Sequence, residues 1–239
     1  MKENKLADLS MDFSVQIINL VKDLKAKHES VISNQIGRSG TSIGANIYEA
    51  NYAQGKKEGS YTHMKHEEIR GKRIVLREQR EEDVPYFAYW FNQPQVMFQC
   101  GFEKPTDEEE EKRIINVNHK SEDSVWFTIT DLNGNIIGET GLLRMFPAWH
   151  QTDLTIIIPD PEMQHKGYGT ETIRTMLDMA FREYEMHRVS IGVVGLNTNA
   201  LEFYKKIGFK QEGILEEAYY YNNEYSDFIM MRILSREWE

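Results

Sequence analysis

An apolar run, Leu154-Thr155-Ile156-Ile157-Ile158, is followed by Gln164-His165-Lys166-Gly167-Tyr168-Gly169-Thr170 and then by Ile173, Leu177, Ala180 and Phe181 at helical spacing. This order constrains the chain more than any other feature. A buried strand that runs through a glycine turn into a helix aims free backbone N–H groups, and the positive end of the helix dipole, at one spot. Gly167 and Gly169 let the backbone approach an anion with no Cβ in between. Residues 164–170 are therefore read as a phosphate-binding candidate, with a plain glycine-capped turn as the alternative. Lys166 either pairs with the phosphate or stays solvated. The pattern is not the dinucleotide fingerprint, because a third glycine is missing. Nor is it an ATP-type P-loop, because no Gly-Lys-Ser/Thr follows.

A second buried strand is expected over Val189–Val194. It leads into Gly195-Leu196-Asn197-Thr198-Asn199-Ala200-Leu201-Glu202-Phe203-Tyr204-Lys205-Lys206-Ile207-Gly208-Phe209. The glycine turn and this Asn-x-x-Ala…Tyr…Gly-Phe segment, in this order, resemble the GNAT superfamily of N-acetyltransferases over residues 72–239. Within that superfamily the chain is similar to the branch holding spermidine N-acetyltransferases and enzymes that acetylate ribosomal-protein N-termini. The shared features are Ile156-Ile157-Ile158-Pro159, Glu212-Gly213 and Tyr225-Ser226-Asp227. The resemblance implies an α/β (α+β) fold with a mixed, mostly antiparallel central sheet flanked by helices. It implies acetyl-coenzyme A as co-substrate and a primary amine as acceptor: a polyamine, an amino sugar or a peptide amine. A non-catalytic coenzyme A sensor or scaffold is the alternative.

The resemblance also assigns roles. The turn residues Gln164, His165, Lys166, Gly167, Tyr168, Gly169 and Thr170 hold the pyrophosphate. The strand Ile156-Ile157-Ile158 splays from its neighbour at a bulge and pairs with the pantetheine arm, and Ile157 or Ile158 supplies a backbone oxyanion donor. Asn197, with Asn199 beside it, binds the pantetheine amides; on the residues alone Asn197 is a helix N-cap. Tyr204 reprotonates the departing thiolate, or packs as an aromatic beside Phe203. The general base is left among Glu139, Asp153, acids of the terminal strands, and His150.

The remaining pattern from Lys72 onward is mixed. Arg73–Glu78 reads as an edge-type strand, and Asp83–Phe91 and Asp107–Asn118 as helices, with Thr106 and Glu109 at capping-box spacing. Val125–Thr130 and Ile136–Met145 are strands about an Asp131–Asn135 turn. Phe209–Ala218 and Tyr225–Leu234 are strands about Asn222-Asn223. Residues 147–150 read as a loop.

Residues 1–58 are expected to form a helical hairpin, with Phe13, Ile17, Leu20, Val21 and Leu24 on one stripe and Ile36, Ile43 and Ile47 on the next. Arg38-Ser-Gly-Thr-Ser-Ile-Gly-Ala-Asn-Ile-Tyr-Glu49 resembles the four helix bundle family related to proteins encoded within ribosomal RNA genes. Residues 59–71 read as a polar linker. A lone hairpin cannot bury its stripe, so it either completes a four-helix bundle with a second copy, giving a dimer, or folds back on the enzyme part.

Composition narrows the partners. Of the net charge of −10, residues 1–70 contribute little, with ten Lys/Arg against nine Asp/Glu, and the remainder holds 18 against 29. That field disfavours nucleic acid and favours cationic ligands. The single Cys100 excludes an internal disulfide. No apolar run reaches membrane-spanning length, no secretion signal or metal-ligand pattern stands out, and a cytoplasmic protein is expected.

Overall fold

The computed structural model describes residues 16, 19–20, 68–102 and 104–238. The chain divides into two units, Met1–Ser60 and Tyr61–Glu239. In the first, Gln16, Asn19 and Leu20 are helical and exposed. The expected hairpin otherwise lies outside the described residues, as does most of the expected linker.

In the second unit the strands are β1 (Ile69–Arg70), β2 (Ile74–Glu78), β3 (Val125–Asp131), β4 (Ile136–Phe146), β5 (Gln151–Ile157), β6 (Arg188–Val194), β7 (Lys210–Tyr221) and β8 (Glu224–Leu234). The helices are α1 (Val84–Phe91), α2 (Pro94–Cys100), α3 (Glu108–Asn118), α4 (Tyr168–Asp178) and α5 (Thr198–Ile207). A π-helical turn, Met179–Glu183, extends α4. The strands form one eight-stranded sheet in the order β1-β2-β3-β4-β5-β6-β8-β7. Every pairing is antiparallel except β5 with β6.

Strand register sorts the side chains between two faces. Ile74 and Leu76 of β2 share a face with Phe127 and Ile129 of β3 and meet Ile173, Met176 and Leu177 of α4 in the main core. Arg77, Thr128, Glu139 and Ile157 lie side by side across β2, β3, β4 and β5 on the other face. There Val84, Phe87, Phe91, Val96 and Ile115, from α1, α2 and α3, form a second cluster that also takes in Ile157.

Four local expectations change. β2 is not an edge strand, because β1, inside the stretch read as linker, pairs with its Val75 and Leu76, and Ile74 through Arg77 are buried. Helix α2 was not expected; Pro94 in its first turn and the left-handed Gly101 at its end are the signals that mark it. The α3 cap is Asp107, whose carboxylate accepts from the Glu110 amide at 2.9 Å, while the Thr106 hydroxyl donates to Glu111 at 2.6 Å. Residues Pro147–Trp149 form a 3-10 turn. The Asn222-Asn223 hairpin has both residues at positive φ, 51° and 64°, as a two-residue turn of this hand requires.

The β2–α1 corner is held by a buried ion pair. Arg77 donates to both carboxylate oxygens of Asp83, at 2.6 and 2.8 Å, and Asp83 also accepts from the Thr128 hydroxyl and the Arg80 amide. Burial pushes the Asp83 pKa up, but these hydrogen bonds outweigh it and hold the carboxyl below its ordinary 3.8. Asp83 is wholly buried, so Asp83→Ala leaves the buried Arg77 guanidinium with only a 3.9 Å contact to Glu82 as an ion pair and is expected to cost about 3–5 kcal/mol in chemical denaturation. A folded-state pKa below the unfolded value stabilises fully above that value and fades as pH falls through it. The gap between wild type and Asp83→Ala should therefore narrow only in acid, below about pH 4.

Candidate active site

The turn between β5 and α4 winds through a short 3-10 segment, Pro161–Met163, and two left-handed residues, His165 at φ 59° and Gly167 at φ 88°. Gly167 is the N-cap of α4 and offers no side chain to cap it. The backbone amides of His165 through Thr170 donate to no group among the described residues; the first amide of this segment to find a partner is that of Glu171, on the Gly167 carbonyl. Converging unpaired amides at a helix start form an anion cradle. A Cβ on Gly169 would sit 3.2 Å from the Phe203 ring, so the cradle wall is closed by α5.

Beside the cradle the sheet opens. β5 pairs with β6 only from Gln151↔Arg188 to Asp153↔Ser190. Beyond Asp153, β5 stays with β4 as far as Ile157, while β6 continues along β8 to Val194. The edge of Leu154–Ile157 that faces β6 therefore has no strand partner. The register irregularity expected at the parting lies instead on β4, between Leu143 and Phe146, where Arg144 takes φ 47°. The gap is a cavity of about 1010 Å³ lined by both strands, the cradle, α2, α5 and the Tyr219–Tyr221 stretch of β7.

Among the titratable side chains that line it, burial shifts three most: Glu139 from β4, Cys100 from the end of α2 and Tyr204 from α5. Glu139 is 7% exposed and accepts from Gln79 Nε2 at 2.9 Å. Burial, and then the charge of Glu111, push its carboxyl up to about 8, against the pull of Gln79. Burial, with the charge of Glu139, pushes the Cys100 thiol up to about 12. Burial raises the Tyr204 phenol well above its ordinary value, with Cys100 adding to it. The Tyr204 hydroxyl makes no hydrogen bond among the described residues, although its ring packs edge-on against Phe209 at 5.7 Å. An acid that keeps its proton and a carboxylate that titrates near neutrality thus share one desolvated cavity.

The structure brings together most of the residues picked from the sequence. Glu139, Ile156, Ile157, Ile158, Gln164, His165, Gly167, Gly169, Thr170, Asn197, Asn199 and Tyr204 all line the cavity. Asn197 also caps α5, accepting from the Ala200 amide at 3.2 Å. Asp153 does not belong: it stands where β5 and β6 are still paired, and its carboxylate is held by Arg144 Nε at 2.6 Å. His150 is likewise outside, its Nδ1 at 2.8 Å from the Glu185 carbonyl. Lys166 and Tyr168 are not lining residues; the Tyr168 ring packs on the main core. Sequence reasoning missed Cys100 and Gln79. Cys100 rides on the unrecognised α2, and Gln79 is a lone polar residue after a strand with no motif to mark it. Among the described residues no group of three His, Cys, Asp or Glu side chains is placed to hold a metal ion, and no helix is long and apolar enough to cross a membrane.

Comparison with known proteins agrees with this geometry. Residues 73–210 match the Acetyltransferase (GNAT) domain family, and residues 2–63 match the 23S rRNA-intervening sequence protein family. The chain is 30% identical over 151 residues to a spermidine N(1)-acetyltransferase of Vibrio cholerae, which covers 63% of this chain and 81% of that protein. It is 26% identical over 165 residues to a spermidine N(1)-acetyltransferase of Escherichia coli, covering 69% and 88%. A crystal structure of the Vibrio cholerae spermidine N-acetyltransferase in complex with CoA and spermine superposes with a TM-score of 0.65 at 27% identity, over 70% of this chain and 99% of that one. An amide cradle beside a parted sheet, a family match through most of the second unit, and a coenzyme A complex among similar structures lead to one conclusion: this chain belongs to the GNAT family of acetyltransferases, enzymes that use acetyl-coenzyme A.

Proposed function

We propose that the cavity transfers acetyl from acetyl-coenzyme A to the primary amine of a small molecule, with Glu139 as general base and Tyr204 as hydrogen-bond donor to the sulfur. The observation that carries this reading is that Glu139 and Tyr204 line the same cavity that the amide cradle opens into. The cradle suits a pyrophosphate, and the unpaired edge of Leu154–Ile157 suits an extended amide-bearing arm, which would add to it as a strand does. Gln164, Gly167, Gly169 and Thr170 would hold the phosphate end, and Ile156–Ile158, Asn197 and Asn199 the arm. Bound there, acetyl-coenzyme A supplies an activated acyl group.

The residues set the proton chemistry. An amine arrives as ammonium and must lose a proton to attack. A carboxyl titrating near 8 is basic enough to take that proton and still be partly ionised at neutral pH. Tyr204, with its pKa raised, keeps its proton, so its part is a hydrogen bond to the departing sulfur; the same burial makes a thiolate more basic and strengthens that bond. Spermidine, acted on by the bacterial relatives, is the first acceptor to try, and the acidic second unit suits a cationic substrate of this kind. For residues 1–58 we propose pairing with a second copy, on the strength of the match over residues 2–63.

Four outcomes are expected. Tyr204→Phe should bind coenzyme A with wild-type affinity in calorimetry and lose about 10²-fold or more in kcat; full activity would remove Tyr204 from the mechanism. In wild type the acidic limb of kcat/KM should lie near pH 8, activity rising as Glu139 ionises, and Glu139→Gln should abolish that limb. Gly167→Val places a β-branched residue at φ 88° and should weaken coenzyme A binding by about tenfold or more, with little loss of helix content. A protein beginning at Met64 should sediment as a smaller oligomer than the full chain.

A further inference from the structure

We propose that Gln79 and Asn118 form an amide relay that orients the Glu139 carboxylate and sets the pH at which it accepts a proton, making both positioning residues. The inference rests on the reading of Glu139 as the base. Gln79 immediately follows β2 and is 1% exposed. Its Nε2 donates to Glu139 Oε2 at 2.9 Å, and its Oε1 accepts from Asn118 Nδ2 at 2.9 Å. Its backbone carbonyl lies 2.9 Å from Nε2 of His119, the C-cap of α3.

In the ionised state of Glu139, the one that accepts a proton, chemistry fixes the direction of this chain. An ionised carboxylate only accepts, so the amide nitrogen of Gln79 must face Glu139. That leaves the Gln79 oxygen towards Asn118, whose amide nitrogen fills it. With Glu139 ionised and Asn118 kept as it stands, flipping Gln79 would set oxygen against carboxylate and nitrogen against nitrogen, two repulsive contacts for two hydrogen bonds. Asn118 therefore holds Gln79 in the donating orientation, and Gln79 holds one oxygen of Glu139, leaving the other for the cavity.

The charged and titratable groups around Glu139 make this donor matter. Glu111, buried on α3 and hydrogen-bonded by Thr106, opposes ionisation of Glu139, and Cys100 on α2 faces it across the cavity. Tyr204 on α5 lines the same cavity, and Arg77 on the shared sheet face is spent on Asp83. Gln79 is the group that favours the charged form, so one helix, α3, carries both the carboxylate that resists ionisation and the amide that secures its remedy.

The test reads Glu139 directly. The carboxyl C=O stretch of the full-length protein is titrated by infrared difference spectroscopy, wild type minus Glu139→Gln, and then Gln79→Leu minus Gln79→Leu/Glu139→Gln. Losing a donor to the charged form raises a carboxyl pKa. The midpoint should therefore move from near 8 in wild type upwards by about one pH unit in Gln79→Leu. The acidic limb of kcat/KM for spermidine, or for another primary amine that turns over, should move with it, while any limb from the amine's own ionisation stays fixed. Asn118→Leu should shift both in the same direction by less, and it serves if Gln79→Leu does not fold. Lower activity with unmoved midpoints in both variants would overturn the relay and leave Gln79 a packing residue. Full activity of Glu139→Gln would instead overturn the base, and the two failures are distinct.

Discussion

A sheet interior has no water to spare for backbone amides, so two strands that pair and then part leave a deficit that something must make good. Here the deficit is the β6-facing edge of Leu154–Ile157, released where the Asp153–Ser190 pairing ends. The neighbouring turn adds a second deficit, the amides from His165 to Thr170. Both lie on one cavity, and a ligand with an anionic end and an amide-bearing arm satisfies both at once. The rest of the second unit can be seen as what keeps the gap open. β4 braces β5 on one side, β8 braces β6 on the other, and the side chains of α4 fill the core beneath.

The proposed base sits on the face opposite α4, where the register lines up Arg77, Thr128, Glu139 and Ile157. Along that row polarity is handled in two ways. The Arg77–Asp83–Thr128 group is neutralised internally and works as a fastener. Glu139 has a neutral amide for a partner and a distant carboxylate for an opponent, so its charge remains available. A cation in place of Gln79 would have turned it into a second fastener.

The parts legible in the sequence were those governed by local periodicity and turn chemistry. The strand–turn–helix at 154–181, the Asn222-Asn223 hairpin and the Asn197…Tyr204 helix read directly, because glycine, asparagine and apolar spacing specify them within a few residues. What was hidden depended on distant partners. Asp153 and Glu139 are each an acid in a strand, and distant partners separate them: Asp153 lies in the paired stretch of β5 and β6 and is held by Arg144, while Glu139 lines the cavity. β2 looked like an edge until the short β1 covered it. α2, seven residues long, is too short for periodicity to reveal.

Cys100 poses a chemical question that the cavity itself answers. On the proposed reading, a free sulfhydryl on the wall of a cavity that receives a thioester is a rival acceptor, since passing an acyl group from one thiol to another is close to thermoneutral and would strand it on the protein. Attack requires the ionised form. With the thiol pushed up to about 12 by burial and by Glu139, it keeps its proton at neutral pH. On the proposed mechanism, the desolvation that readies Glu139 as a base also keeps the Cys100 sulfur protonated, so an incoming amine meets no thiolate rival.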